Sequence, residues 1–151
     1  WRLFSNIVVG IDFSKASESA FLWAYKLAHE VGANLHIFHA IDITAEGLTL
    51  PAGQTAIEQR IKEARRRIEQ HMVPKLKGYE KYTLEAWEGI PYVEILKFAR
   101  DRQADLIVMA HHTREVDPEE AELGSTVEQV VLRSSCPVAS VNHPDKVADL
   151  M

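Results

Sequence analysis

Five short apolar runs alternate with amphipathic segments along the chain, and this alternation limits its fold more than any other feature of the sequence. The segments between the runs carry apolar residues at helical spacing. Strictly alternating strands and helices predict a doubly wound α/β domain, in which right-handed crossovers cover both faces of a parallel sheet with helices. The runs are rich in β-branched residues, and they predict strands at 6–12, 34–41, 82–87, 105–110 and 137–141.

Residues that start or stop helices set the predicted helix boundaries. We expect Ser14 to cap the first helix and Gly32 to end it, since a serine oxygen accepts from free N–H groups and glycine adopts left-handed backbone. A long amphipathic helix is predicted to close at Gly78. Pro91 suits the first position of the next helix, and a last helix is predicted at about 125–134.

Length and composition limit the classes of protein that the chain can belong to. The 151 residues predict one domain, spanning 1–151. With 46% hydrophobic and 26% charged residues, the composition is typical of soluble globular proteins. The net charge of −5 argues against nucleic acid and anionic membranes as partners, and no apolar run approaches the roughly 18 residues of a membrane span. Cys136 is the only cysteine and no signal peptide is recognisable, so we expect a cytoplasmic protein.

Four segments in order resemble the universal stress protein family. They are IVVGID at 7–12, HAID at 39–42, ADLIVM at 104–109, and a closing stretch that begins GST at 124 and ends SCPV at 138. The resemblance implies a five-stranded parallel sheet with strand order 3-2-1-4-5, similar to that of adenine nucleotide alpha hydrolases. It also implies a stress-response protein that forms homodimers through its last strand. The family divides into branches that do and do not bind ATP.

The chain keeps only part of the motif of the ATP-binding branch. In that branch the fourth strand ends in a glycine, a second glycine follows after two residues, and Gly-Ser or Gly-Thr comes nine residues later. Here Ala110 and Thr113 occupy the two glycine positions, and ten residues, 114–123, precede Gly124. That spacer carries five acidic residues against Arg114, so its net charge of −4 opposes the binding of a polyphosphate.

The resemblance nevertheless implies which residues would form a nucleotide site. Asp12 would lie near the adenine or the ribose, and the last helix would direct free N–H groups at phosphate. Ser125 also has a structural interpretation, because with Glu128 three residues later it predicts a capping box. The expected ligand is ATP or AMP with magnesium, and the candidate residues are Asp12, Ala40, Met109, Ala110, Thr113, Gly124, Ser125 and Thr126.

Three histidines fall near the carboxyl ends of two predicted strands. His39, His111 and His112 would lie close to Asp12, and such a group can hold zinc. His39 and His112 are also common at these positions in the family that the chain resembles. Since no ligand spacing in the sequence supports a metal site, we expect none.

The sequence leaves three functions open. No nucleophile–base arrangement stands out, and residues 12–15 contain no glycine where nucleotide-hydrolysing α/β folds have a Gly-rich loop, so we expect no enzyme. The leading prediction is a dimeric stress-response adaptor that has weakened or lost ATP binding. The first alternative is a switch that binds ATP or AMP. The absence of an initiator Met suggests a second alternative, a regulatory domain of a larger protein such as a transporter.

The last predicted strand is the expected dimer interface. A short apolar edge strand stays open to pairing with another chain unless a partner covers it. The residues expected at that interface are Pro137, Val138, Ala139 and Val141.

Overall fold

The computed structural model describes residues 3–42, 54–112 and 123–142, and it contains one five-stranded sheet. The strands are β1 (Asn6–Gly10), β2 (Asn34–Ile41), β3 (Tyr82–Glu88), β4 (Leu106–Ala110) and β5 (Val138–Val141). The helices are α1 (Lys15–Val31), α2 (Gln54–His71), α3 (Pro91–Asp101) and α4 (Ser125–Arg133), with a 3-10 turn at Val73–Leu76. No helix in these three ranges combines the length and the apolar character needed to cross a membrane.

All neighbouring strands of the sheet are parallel, and their order is β3-β2-β1-β4-β5. This confirms the predicted doubly wound sheet with strand order 3-2-1-4-5. The order reverses between β1 and β4, because β2 and β3 extend to one side of β1 while β4 and β5 extend to the other. Ligands of doubly wound folds bind beyond the carboxyl ends of the strands at this reversal point.

Side chains of the central strands alternate between two helical layers. Ile7 and Val9 of β1 pack in the core beneath α1, whereas Val8 between them packs in the core beneath α3 and α4. Ile107 of β4 shares the core of Val8, while the residues on either side of it share the core of α1. Because both faces are covered, these strands are continuously apolar rather than alternating in polarity.

Aromatic rings fill the core beneath α3. The rings of Phe98 and Phe38 are stacked with centroids 4.6 Å apart, and the Trp87 ring meets Phe98 edge-on at 5.3 Å. Phe98 and Phe38 are fully buried. These contacts fix α3 against β2 and β3, and therefore fix the position of Pro91 at the first turn of α3.

Several predicted boundaries differ from the observed ones. Strand β1 ends at Gly10 rather than residue 12, since the chain turns into the loop before α1. Helix α2 ends at His71 rather than Gly78, because Pro74 lacks the N–H that a continuing helix needs and a 3-10 turn forms there instead. Strand β5 begins at Val138, after Pro137. The predictions for Ser14, Gly32 and Pro91 are confirmed.

Candidate functional site

A tight network of hydrogen bonds shapes the loop that follows β1. The backbone N–H of Ile11 donates to the carbonyl of Phe38 at 2.9 Å, so the β1–β2 pairing continues one residue beyond the strand. The backbone N–H of Asp12 then donates to Ser17 Oγ at 3.2 Å. The Asp12 carboxylate accepts from the N–H of Ser14 at 3.0 Å. These bonds hold the carboxylate of Asp12 at the carboxyl end of the sheet, where it is exposed.

Phe13 adopts left-handed backbone with a φ of 67°. A residue other than glycine pays about 1 kcal/mol for that conformation, so the surrounding structure must hold it. The Phe13 ring packs against His39 with centroids 4.8 Å apart, and the Arg67 guanidinium lies 4.1 Å from the ring centroid. The ring contacts thus keep the loop in a turn for which a glycine is usually needed.

Gly124, not Ser125, is the N-cap of α4, so the predicted capping box is wrong. Ser125 is the first helical residue, and no side chain in the described ranges caps the helix. A capping box needs the glutamate three residues after the N-cap, but Glu128 lies four residues after Gly124. The N–H of Glu128 instead makes the first intrahelical bond, to the Gly124 carbonyl at 2.9 Å. The N–H of Gly124 donates to the carbonyl of His111 at 2.9 Å, which holds the start of α4 beside the end of β4.

A cavity of about 230 Å³ lies between the loop after β1 and the start of α4. Its wall brings together all the described residues that the sequence predicts for the nucleotide site: Asp12, Ala40, Met109, Ala110, Gly124, Ser125 and Thr126. Thr113 and the acidic residues of the spacer lie outside the described residues. The cavity is therefore at the reversal point of the sheet, where the fold predicts a ligand.

The cavity also contains residues that the sequence analysis did not assign to the site. Its apolar side includes Phe38, Pro91, Ile95 and Val127, and Ser17 and His112 add polar groups. The sequence could have identified Pro91 and Ile95, because they lie in the first turns of a helix that is predicted to begin near the carboxyl end of a strand. His112 was considered only as a metal ligand. Its Nδ1 is buried and has no hydrogen-bond partner in the described part of the chain.

The three histidines do not converge on a metal site. His39 donates from Nδ1 to the carbonyl of Ile11 at 2.7 Å, and His111 Nδ1 lies 3.2 Å from Ser140 Oγ on β5. The rings of His111 and His112 are 6.0 Å apart and nearly perpendicular. Within 3–42, 54–112 and 123–142 no three metal-ligating side chains form a group that could hold an ion.

Cys136 lies away from this cavity, at the turn between α4 and β5. Its N–H donates to Ser134 Oγ at 3.1 Å, and the Ser134 hydroxyl donates to the Cys136 carbonyl at 2.8 Å. Cys136 is half-buried and packs against the core beneath α3 and α4. The residue therefore has a structural environment.

Known proteins share both the sequence pattern and the fold of this chain. The universal stress protein family model matches residues 3–142. The universal stress protein MJ0531 of Methanocaldococcus jannaschii is 32% identical over 152 residues, which cover 96% of this chain and 86% of that protein. The structure of the universal stress protein UspA from Lactobacillus plantarum is 26% identical with a TM-score of 0.71, and the match covers 93% of this chain and 99% of that one.

Two more distant structures share the fold and were solved with nucleotides. A universal stress protein in complex with cAMP is 24% identical with a TM-score of 0.65, covering 93% of this chain and 98% of that one. The universal stress protein from Archaeoglobus fulgidus in complex with dAMP is 20% identical with a TM-score of 0.58, covering 91% and 98%. With the family model matching nearly the whole length, the chain belongs to the universal stress protein family.

Proposed function

We propose that this chain is a regulatory protein that binds an adenine nucleotide in the cavity between the loop after β1 and α4. The observation that carries the proposal is the convergence of seven predicted binding residues on one cavity wall. They come from three strand ends and one helix start that are far apart in sequence. A structural role alone does not require such residues to surround an open space.

The two sides of the cavity suit the two ends of a nucleotide. Phe38, Pro91 and Ile95 form an apolar surface for a base, and the exposed carboxylate of Asp12 can accept from ribose hydroxyls or a base N–H. At the other side, α4 begins without a side-chain cap, so the hydroxyls and N–H groups of Ser125 and Thr126 remain to receive phosphate.

Relatives support the choice of an adenine nucleotide. Two proteins of the same fold were solved with cAMP and with dAMP, which share an adenine and one phosphate. Neither is close enough in sequence to carry residue roles over to this chain. What favours the same ligand class here is the cavity itself, with its apolar side next to a helix start.

We propose binding without turnover. The loop at 12–15 has no glycine, and Phe13 holds its left-handed position through ring contacts on the side of α2. Such a loop does not present successive free N–H groups to a transferring phosphate as a Gly-rich loop does. A bound nucleotide therefore acts as a signal that changes the stability or the contacts of the protein.

Calorimetric titration of the metal-free protein with AMP and ATP, with and without magnesium, tests this proposal. We expect micromolar binding of at least one of them by the natural sequence. Gly124→Asp should abolish it, because an aspartate at the N-cap accepts from the same N–H groups that would receive phosphate. Its thermal unfolding should stay unchanged or rise slightly, since aspartate is a better N-cap than glycine by a few tenths of a kcal/mol.

Gly124→Ala is the matched control. A Cβ at position 124 would lie 3.5 Å from the nearest atoms, which is ordinary van der Waals contact, and the backbone φ of −64° suits alanine. This variant should fold and retain most of the affinity. Absence of heat with every nucleotide at millimolar concentration would contradict the proposal and favour a function through protein contacts alone.

A second candidate function, protein contact through β5 and α4, rests on exposed apolar groups. Val131 and Leu132 on α4 are 48% and 68% exposed. Strand β5 follows α4 directly and pairs with β4 on one side only within the described residues. We propose that this surface joins two copies of the chain, which is compatible with nucleotide binding because the cavity lies at the other side of β4.

A further inference from the structure

The wall of the cavity is poor in positive charge. Among its described residues there is no lysine or arginine, and the one histidine is His112. Asp12 contributes a carboxylate. Proteins that hold polyphosphates normally direct lysine, arginine or a metal at them. The described wall offers no such side chain.

The start of α4 is the main electrostatic feature left for phosphate. Since intrahelical bonding begins at the N–H of Glu128, the N–H groups of Ser125, Thr126 and Val127 have no helical carbonyl to bond. A helix N-terminus is equivalent to about half a positive charge, and its effect fades within the first turn. That charge can offset part of the charge of one phosphate group, but it does not reach a chain of three.

The sequence next to the site adds negative charge. Residues 114–122 carry a net charge of −4, and the two ends of this segment continue into cavity residues, His112 on one side and Gly124 on the other. The bond from Gly124 N–H to the His111 carbonyl keeps those two ends together. Each additional phosphate on a ligand therefore adds repulsion, which salt and magnesium reduce.

The size of the Ala110 side chain also favours ligands with fewer phosphates. It is buried at the end of β4 and lines the cavity where the ATP-binding branch of the family has a glycine. Its methyl group takes up room in the cavity wall that a glycine would leave free. The size and the charge of the cavity wall thus both favour nucleotides with a single phosphate.

We infer that this cavity selects adenine nucleotides with a single phosphate, as a monoester or a cyclic diester, over nucleoside triphosphates. The inference rests on the proposed nucleotide binding and specifies the ligand of that same site. It goes beyond the expectation of a switch that binds ATP or AMP, because it separates these two ligands by the second and third phosphates of ATP.

Competitive titration of the full chain with AMP, cAMP, ADP and ATP tests the selectivity. Without magnesium, the dissociation constant should rise from AMP or cAMP to ATP by at least about tenfold. The difference between these dissociation constants should narrow when the salt concentration is raised or magnesium is added, because both lower the effective charge of the triphosphate. Equal or tighter binding of ATP without magnesium would overturn the inference and leave nucleotide binding intact. Failure of all four ligands would overturn both.

A variant that neutralises part of the acidic segment provides a second test of the selectivity. E120Q/E122Q removes two charges from the acidic segment and should raise the affinity for ATP at least about threefold, with a smaller change for cAMP. The matched control is E58Q/E69Q, which removes two exposed charges on α2, outside the cavity wall. If both variants shift ATP binding equally, only the net charge of the protein matters, and the inference of a local selection is wrong.

Discussion

The hydroxyl of Ser17, one turn into α1, accepts a hydrogen bond of 3.2 Å from the backbone N–H of Asp12. The same hydroxyl donates to the carbonyl of Ser14 at 3.1 Å, and Ser17 is 2% exposed. One buried side chain thus ties the loop that carries Asp12 to the helix that follows it. Ser17 also lines the cavity, so its bonds fix the position of the carboxylate proposed to contact the ligand.

Ser17→Ala should lower the free energy of unfolding by about 1–3 kcal/mol, because it leaves the N–H of Asp12 without its partner. The carbonyl of Ser14 loses one of two bonds and keeps the one from the N–H of Glu18 at 3.0 Å. It should also weaken nucleotide binding. Urea denaturation and calorimetry measure the two effects. Ser19→Ala is the control, since the exposed Ser19 hydroxyl only bonds back to the Lys15 carbonyl in the same helix. Equal stability of the two variants would contradict the structural role of Ser17.

The sheet was predictable because the strands are recognisable in the sequence as short, continuously apolar runs. Ile7, Val8 and Val9 are apolar on both faces, and a strand buried on both faces is what a parallel sheet between helical layers requires. The order of the strands came from the resemblance to the family, whereas the rule that crossovers are right-handed predicted only that helices cover both faces. Neither inference depends on side-chain geometry.

The cavity was predictable only in part. Asp12 and Gly124 were identified because the chain resembles the ATP-binding branch of the family at these positions. Ser17 and Ile95 were not, because each lies inside a helix whose apolar pattern gives no sign of which residues face an open space. The start of α4 at residue 125 was predicted, but its N-cap was not. A serine followed by glutamate three positions later predicts a capping box, whereas Gly124 is the N-cap.

Phe98 is expected to be the most sensitive single residue of the core beneath α3. Its ring stacks on Phe38, meets Trp87 edge-on, and carries the Arg102 guanidinium at 4.9 Å from its centroid. Phe98→Ala should lower the free energy of unfolding by about 3–5 kcal/mol. Phe98→Leu, which fills more of the space, should cost less than half as much. Urea denaturation followed by tryptophan fluorescence measures both, and similar losses for the two variants would contradict the packing argument.

His36 should make the protein less stable in mild acid. This histidine is 7% exposed in β2, with Nδ1 2.7 Å from Thr83 Oγ1 and Nε2 3.1 Å from Asn6 Oδ1. Burial lowers the pKa of the imidazole below its usual value of 6.5, and the nearby Arg102 guanidinium lowers the pKa further. Because the unfolded chain takes up the proton first, stability is full above pH 6.5 and falls as the pH drops from there towards the lowered pKa.

The measurement is urea denaturation at several pH values. Between pH 6.5 and the lowered pKa, His36 should contribute a slope of up to about 1.4 kcal/mol per pH unit. His36→Gln should reduce that slope, because glutamine does not titrate. His71→Gln, at an exposed site at the end of α2, should leave it unchanged. An unaltered slope in His36→Gln would show that other groups cause the acid sensitivity.

In the described part of the chain β5 is an edge strand, and its backbone offers hydrogen-bonding groups there. The carbonyls of Pro137, just before β5, and of Val141 accept from the N–H groups of Ile107 in β4 and of His111 just after β4, both at 3.0 Å. Since alternate residues of a strand point to opposite sides, the N–H and C=O groups of Val138 and Ser140 face away from β4. Val138 and Val141 are half-buried against the core, so substitutions there would disturb the monomer as well as an interface.

Ser140→Pro is therefore the sharper test of self-association through β5. Proline removes an N–H that makes no bond to β4, so the loss falls on pairing with a second copy more than on the fold of one chain. The natural sequence should elute from a sizing column as a dimer and Ser140→Pro as a monomer. Ser140→Ala, which removes the contact between Ser140 Oγ and His111 Nδ1 but keeps the N–H, should remain dimeric. A dimer that survives the proline, with unfolding unchanged, would place the interface elsewhere, and the exposed Val131 and Leu132 of α4 would be the next residues to replace.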